Sequence, residues 1–265
     1  MGFGGAAPEG AGHRSVGVRP MTSGERHRYR IRFSKLGKIR FTSHRDVARL
    51  WERALRRATI PVAYSEGFSP HPKLSFGLAL SNGHESLGEY LDVDVTESLG
   101  DPLDVGALIA RLDPGLPIGL DVQAAAEIAP GTPSLQQAVV CCTWRIGFQG
   151  HGCRQLAERV NDVLQAESIV VTRERKGQQV TDDVRPAIVA LDISGDAEVV
   201  ADLATQPRGL RPSELVAALS RGDGDLEEGR VMRLNQWLSI DGAREEPLPL
   251  PHGATSTPHA QARAS

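Results

Sequence analysis

The alternation of apolar and polar positions predicts a strand near the start of the folded chain. Residues 29–33 read Tyr-Arg-Ile-Arg-Phe, which is typical of a half-buried strand with apolar and basic side chains on opposite faces. The residues 35–38, Lys-Leu-Gly-Lys, predict a turn. Ile39-Arg40-Phe41 then predicts a second strand, so that the segment is expected to form a hairpin.

An amphipathic helix is predicted over residues 43–58. Its apolar residues recur at the spacing of one helical face: Val47, Leu50, Trp51, Ala54, Leu55 and Ala58. Ser43 is expected to cap the N-terminus, Asp46 to complement the helix dipole, and Pro61 to follow the end. The opposite face carries Arg45, Arg49, Arg53, Arg56 and Arg57.

The rest of the pattern predicts an α+β protein in two similar halves. Further strands are expected near 62–64, 75–80, 89–95, 119–128, 138–147, 168–175, 186–193, 197–203 and 230–240, with helices near 102–111, 152–164 and 212–220. Each half approximates strand–helix–strand–strand–helix–strand. The order predicts two packed ferredoxin-like (split βαβ) domains.

The predicted domain boundaries follow from composition. Residues 1–25 contain seven glycines and residues 242–265 contain four prolines, with few large apolar side chains in either segment. Both are expected to be disordered tails, and Met21 is a candidate for the true start of the chain. The N-terminal α+β domain is then 26–132 and the C-terminal α+β domain is 133–241.

Charge is divided unevenly along the chain. Residues 26–73 carry 13 Lys and Arg against 3 Asp and Glu, whereas residues 74–265 carry 15 against 28. The near-neutral total of −3 conceals this division. A basic segment on an acidic body favours an anionic partner, and the alternative is that the two segments neutralise each other in the fold.

Several classes of protein are excluded or disfavoured by the sequence. There is no membrane span and no apolar signal-peptide core, so a cytoplasmic protein is expected. Cys141, Cys142 and Cys153 lack the spacing of an iron–sulfur or zinc motif, which favours buried structural thiols and no metal site. Nucleotide-binding and hydrolase motifs are also absent from the sequence.

The loop 65–73 is the first candidate site. Two prolines flank His71, which stiffens a segment that also carries Glu66, Ser69 and Lys73. His71 has the chemistry of an acid or base, with Glu66 or Glu89 as weak candidate partners, and Lys73 suits a phosphate. The alternative is a structural crossover in which Phe68 and Phe76 plug the core while His71 sits in solvent.

The arginine face of the predicted helix is the second candidate. A stripe of guanidinium groups matches the geometry of phosphates, and Arg30, Arg32 and Arg40 of the predicted hairpin would extend it. The alternative is a solvated face with local ion pairs. The candidate substrate- or RNA-binding residues are Arg40, His44, Arg45, Arg49, Arg53, Arg56, Arg57, Ser69, His71 and Lys73.

Acidic residues near 85–94 offer a third possibility. Asp92 and Asp94 share one face of a predicted strand, close to Glu85 and Glu89. Two such carboxylates can bind a cation or accept arginines from the basic helix, and internal ion pairing is the simpler interpretation. Arg185-Pro186 and Arg211-Pro212 are interpreted as marking a turn and a helix start, and contact with an anion is the minor alternative.

The chain resembles a known family over its first third. The matching runs are Arg40-Phe41-Thr42-Ser43-His44-Arg45-Asp46, Glu52–Ala58, Pro61–Pro72 and Gly88-Glu89-Tyr90-Leu91-Asp92. They closely resemble the radical-SAM-linked (radical-SAM-associated) proteins, a bacterial domain of unknown function. The match is dense over about 28–95 and is expected to reach about residue 235.

The resemblance implies a partner. Members of this family are fused behind a radical-SAM enzyme or encoded beside one, often near genes for ribosomal and RNA-processing proteins. Because this chain lacks cluster cysteines, it is expected to bind no cofactor itself, with the iron–sulfur cluster and S-adenosylmethionine on the partner. The leading hypothesis is an accessory protein that binds RNA or positions substrate for that enzyme. The alternatives are an enzyme that uses His71, and a protein–protein adaptor without nucleic acid.

Overall fold

The structure is a computed structural model that describes residue 1 and residues 27–248, apart from 101–102, 130, 150–152, 176, 196 and 221–225. The strands are β1 (His27–Lys35), β2 (Leu74–Phe76), β3 (Glu85–Val95), β4 (Leu120–Ile128), β5 (Val139–Gln149), β6 (Val170–Arg175), β7 (Gln178–Asp183), β8 (Ile188–Ile193), β9 (Glu198–Ala204), β10 (Glu227–Ile240) and β11 (Ala243–Glu245). The helices are α1 (His44–Arg57), α2 (Val105–Leu112), α3 (Leu135–Ala138), α4 (Cys153–Gln165) and α5 (Pro212–Leu219).

The described strands are dominated by one large sheet. Its order is β4-β1-β3-β10-β5-β9-β8, with β2 added on β3 and β11 on β10, while β6 and β7 form a separate hairpin. The pairings are antiparallel except β3 with β10, which is parallel and joins Met232 to Glu85 and Arg233 to Ser86. The protein is therefore a mixed α+β fold with a large, mostly antiparallel sheet and few helices.

Apolar side chains bury against this sheet in two clusters. One cluster packs α1 and α2 on β1, β3 and β4, with Trp51 and Phe33 in edge-to-face contact at 4.9 Å between ring centroids. The other packs α4 and α5 on β5, β8 and β9 around Ile146 and Leu156. The parallel pairing of β3 with β10 lies between them. The two-domain, split βαβ interpretation is not confirmed by this continuous sheet and stays a prediction.

Helix α1 forms where the periodicity placed it. Ser43 adopts extended backbone angles and its hydroxyl accepts the N–H of Asp46 at 3.2 Å, which satisfies one free donor of the first turn. Val47, Trp51, Ala54 and Leu55 are buried on the sheet side. The predicted N-cap and apolar face are confirmed.

The predicted strand at Ile39-Arg40-Phe41 is wrong. Residues Gly37–Phe41 form a 3₁₀ helix instead, beginning at Gly37, whose φ of +69° favours glycine. The ammonium of Lys35 donates to the carbonyl oxygens of Arg40 at 3.3 Å and Thr42 at 2.9 Å, and these bonds hold the segment in its tight turn. The partners of β1 are therefore the distant β3 and β4 rather than its sequence neighbour.

Strand β1 is buried on both faces, although its alternation predicted one exposed face. Arg30 and Arg32 are each only 3% exposed. The proposal that they extend a surface for phosphates is thus wrong, because both guanidinium groups are enclosed and paired with carboxylates from distant segments.

The predicted disordered tail at 242–265 requires a correction at its start. Residues Ala243–Glu245 form β11, which pairs with the end of β10. Glu246 then accepts a hydrogen bond from Arg32 at 2.6 Å, and the carbonyl of Leu248 accepts another at 3.2 Å. These two acceptors compensate the burial of the Arg32 guanidinium, which favours this position of Glu246 and Leu248. Residues 1–25, apart from Met1, and 249–265 lie outside the described residues.

Candidate functional site

The arginines of α1 form an exposed stripe. At about 100° per residue, Arg45, Arg49, Arg53, Arg56 and Arg57 fall within about 120° of one another on the face opposite Trp51. All five are exposed. Arg49 pairs with Asp46 at 3.2 Å and Arg57 donates to the carbonyl of Pro114 at 3.0 Å. Within the described part of the chain, Arg53 and Arg56 hold no hydrogen bond or ion pair.

The loop 65–73 projects beside the C-terminal part of this helix. Its base is closed by backbone hydrogen bonds, from Ser65 N–H to the His71 carbonyl at 2.8 Å and from Lys73 N–H to the Ala63 carbonyl at 2.8 Å. The Ser65 hydroxyl also accepts the N–H of His71 at 2.9 Å. Gly67 turns the tip at a φ of +123°, a region in which glycine is favoured. The loop is therefore a defined hairpin-like projection.

Phe68 stands at the tip of the loop and is fully exposed. The expectation that Phe68 plugs the core is wrong, because the closed base of the loop holds residues 66–71 out in solvent. Phe76 lies deeper, packs against the apolar cluster under α1, and meets the ring of His44 edge-to-face at 5.2 Å. Phe76 and the exposed His71 therefore behave as the structural interpretation predicted, and Phe68 does not.

An open cleft connects the helix and the loop. It has a volume of about 640 Å³ and is lined by Arg56 and Glu52 of α1, Tyr64 and Pro72 at the base of the loop, and Arg111 of α2. Tyr64 is half exposed. Arg111 donates to the carbonyls of Ala58 and Thr59, so its guanidinium is held at the end of α1. The cleft thus combines two guanidinium groups with an exposed aromatic ring.

Among the weak catalytic candidates, Glu89 is held apart from the loop that carries His71 and Glu66. His71 and Glu66 are exposed on the loop, whereas Glu89 binds the guanidinium of Arg233 in the sheet. The loop joins β3 at Asp94, whose N–H donates to the carbonyl of Lys73. Glu89 lies five residues further along this strand, which corresponds to about 17 Å. Glu89 therefore does not serve His71 as a catalytic partner in this arrangement.

The other predicted contact residues are distributed around α1. His44 and Ser69 are exposed, and Lys73 is half-buried beside β3. Arg40 lies over the exposed ring of Phe41 at 4.4 Å from the centroid and approaches Glu85 at 3.9 Å. Arg40 and Phe41 thus lie at the N-terminal end of the stripe, and the cleft at the other end.

The acidic residues of β3 form internal ion pairs, as the simpler interpretation predicted. Asp92 accepts hydrogen bonds from Nε and Nη2 of Arg30 at 2.8 and 2.9 Å, and Asp94 forms an ion pair with Arg28 at 2.5 Å. Their partners lie on β1, so the prediction that the basic helix supplies them is wrong. Among the residues described, no cluster of three or more metal-binding side chains is arranged to hold an ion.

The two cysteines whose side chains are described are free and buried. Burial raises the pKa of Cys141 to about 12 and the pKa of Cys142 to about 11. Such thiols stay protonated near neutral pH and are poor nucleophiles, which agrees with a structural role.

Sequence reasoning missed the exposed aromatic rings. Phe41, Tyr64 and Phe68 are 61%, 50% and 110% exposed. A local signal existed for Phe68 alone, which follows Gly67 and precedes Pro70 by two residues, whereas Phe41 and Tyr64 lie in segments for which the sequence predicted strands. It also missed Arg233, because an arginine inside a strand reads as an outward-facing residue.

Comparison with known proteins agrees with the resemblance in part. A family model described as an uncharacterized protein conserved in bacteria (DUF2344) matches residues 28–215. No curated protein matches the chain. Every helix in the described part of the chain is too short or too polar to cross a membrane. Since the family model covers most of the chain, the protein belongs to this uncharacterized bacterial family.

Proposed function

We propose that this protein binds single-stranded RNA on the surface formed by α1 and the loop 65–73, and presents it to a separate enzyme. The exposed stripe of arginines with few acidic partners carries the proposal. Arginine fits phosphate oxygens through its planar fork of donors, and such contacts supply most non-specific nucleic-acid affinity.

Single strands fit this surface better than duplexes. The stripe from Arg45 to Arg56 spans about 16 Å along the helix, which is long enough to meet several successive phosphates. Phe41 at one end and Tyr64 and Phe68 at the other are exposed. Unpaired bases stack on such rings, whereas the bases of a duplex are already stacked on one another.

The proposed enzyme is a radical-SAM protein, and support for it comes from the sequence resemblance. This chain would hold the substrate, while the partner would contribute the iron–sulfur cluster and S-adenosylmethionine. The division of labour is supported by the sequence, because Cys141, Cys142 and Cys153 lack the spacing of an iron–sulfur motif.

The RNA proposal is tested by fluorescence anisotropy with a labelled single-stranded RNA dodecamer across a series of salt concentrations. Arg49→Gln, Arg53→Gln and Arg56→Gln should each weaken binding and lower the slope of log K against log[salt] by about 1. Phe68→Ala should cost about 1–3 kcal/mol of binding free energy through lost stacking. A hairpin duplex should bind more weakly than the dodecamer.

Arg145→Gln is the matched control. Arg145 is also exposed but lies on β5, where it faces Glu198, rather than on α1. If Arg145→Gln weakens binding as much as the three α1 variants do, or if the dodecamer does not bind, the RNA proposal is wrong.

The partner is tested separately, by anaerobic purification of the tagged chain from its native host with iron and sulfide analysis. Elution without an iron–sulfur protein contradicts only the radical-SAM part.

A further inference from the structure

A second cavity lies against the apolar cluster that packs on β5, β8 and β9, away from α1. Its volume is about 540 Å³, within the range typical of small-molecule sites. One wall is the segment 78–81, which follows β2, and the other walls come from β5, β9 and the segment before α5. The apolar lining consists of Leu78, Leu80, Trp144, Leu203, Leu210 and Pro212.

The cavity contains a buried guanidinium. Arg233 of β10 is 1% exposed and lies over the ring of Trp144 at 5.3 Å from its centroid. Its Nε and Nη2 donate to one oxygen of Glu89 at 3.1 and 2.5 Å, and Nη2 also donates to the carbonyl of Leu78 at 2.8 Å. Arg233 is thereby fixed in place, and its positive charge is balanced by Glu89.

Arg211 gives the lining of the cavity a net positive charge. This residue is exposed and lines the cavity just before α5. Its backbone N–H donates to Glu214, but no ion pair holds its side chain in the described part of the structure. None of the described residues that line the cavity is acidic. The lining therefore offers a single uncompensated positive charge beside apolar walls.

We propose that this cavity binds a small organic carboxylate with an apolar body. The apolar part would fill the space between Leu80, Leu203 and Trp144, where its transfer from water is favourable. The carboxylate would accept hydrogen bonds from Arg211 and face the edge of Arg233. A monoanion balances one net positive charge, whereas a dianion such as a phosphate monoester would leave a negative charge partly out of water.

This site does not depend on the proposed RNA surface. The cavity lining contains no residue of α1 or of the loop 65–73. Failure of one proposal therefore leaves the other standing.

The test is isothermal titration of the full chain with sodium octanoate, 1-octanol and octylamine. These probes share an apolar tail and differ in the charge of the head. Octanoate should bind at one site, at least about tenfold more tightly than octanol, and octylamine should bind more weakly still.

Two variants locate the binding. Arg211→Gln should weaken octanoate about tenfold and leave octanol unchanged, because only the charged head loses its partner. Ser81→Phe, at the exposed rim, should block both ligands by filling the entrance. Arg145→Gln, the same chemical change on another exposed arginine, should alter neither affinity.

Three results would overturn the proposal. Absence of octanoate binding, equal affinity for octanoate and octanol, or octanoate affinity insensitive to both Arg211→Gln and Ser81→Phe would each show that the cavity is not a carboxylate site. A circular-dichroism melt of each variant establishes that the fold is retained before titration.

Discussion

Two sets of arginines lie less than twenty residues apart in the sequence and have opposite environments. Arg28, Arg30 and Arg32 of β1 are paired with Asp94, Asp92 and Glu246. The arginines of α1 are exposed, and among the residues that the structure describes their one ion pair is that of Arg49 with the neighbouring Asp46. The difference shows that the excess positive charge of residues 26–73 has two parts: β1 is neutralised within the fold, and α1 remains available to an external anion.

Breaking a pair on β1 should give the largest change in stability. Arg30→Met leaves the carboxylate of Asp92, which is 4% exposed, buried without its bidentate partner. An uncompensated buried charge costs about 3–5 kcal/mol of unfolding free energy. Urea denaturation measures this loss.

An Arg→Met substitution on α1 is the comparison for Arg30→Met on β1. Arg53→Met should alter the unfolding free energy by less than about 0.5 kcal/mol, since the side chain is exposed and forms no ion pair with any residue that the structure describes. Equal losses for Arg30→Met and Arg53→Met would contradict the division into two sets.

Glu246→Gln should have an intermediate effect. Arg32 is 3% exposed, and its Nη1 donates to Glu246 and to the carbonyl of Leu248. Loss of the carboxylate should cost about 1–3 kcal/mol, because a buried guanidinium keeps its neutral acceptors but loses its counter-charge. Thermal and urea unfolding check the value, and Glu245→Gln on exposed β11 is the neighbouring control. A stable Glu246→Gln protein would show that the segment after β10 does not neutralise β1.

Replacing both partners of the buried pair should largely restore stability. Arg30→Met combined with Asp92→Leu removes both charges and keeps apolar volume, so the double variant should unfold within about 1 kcal/mol of the parent protein. A double variant as unstable as Arg30→Met alone would mean that packing, rather than charge, dominates the loss. Urea denaturation of the single and double variants in parallel distinguishes the two.

The smallest effect is expected from pH at the start of α1. A hydrogen bond from the Ser43 hydroxyl, and then the charge of Arg49, hold the pKa of Asp46 below its usual range. A carboxyl group with a lowered pKa in the folded state stabilises above its unfolded pKa, and this contribution is lost as pH falls through the folded pKa. NMR titration of Asp46 should therefore show a raised pKa in Ser43→Ala. An unchanged pKa would contradict the assigned cause.

The local elements of the fold were accessible from sequence because their signals are short-range. The apolar spacing from Val47 to Leu55 and the N-cap at Ser43 depend on residues within one or two turns. The 3₁₀ helix at Gly37–Phe41 was not accessible. Lys35 determines it through hydrogen bonds to two carbonyls, and the alternation of Ile39 and Phe41 cannot show such contacts.

The charge partners of β1 were inaccessible for a related reason. Arg30 and Asp92 are separated by 62 residues, and Arg32 and Glu246 by 214. An alternating apolar and basic pattern predicts an exposed basic face unless an acidic strand lies beside it. Whether an acidic strand lies there depends on the order of the strands in the sheet, which the local pattern does not show. The surface proposed to bind RNA was partly predictable from sequence, since the α1 arginines were identified. The exposure of Phe68 was not, because it depends on how the loop closes at Ser65 and His71.

The position of β10 has a consequence for biosynthesis. This strand is encoded after both β3 and β5, yet it lies between them in the middle of the sheet. A growing polypeptide on the ribosome will present both of those strands with unpaired edges until residues 227–240 emerge. Such edges invite pairing with other chains, so premature termination upstream of β10 should yield an aggregating product rather than a smaller folded one.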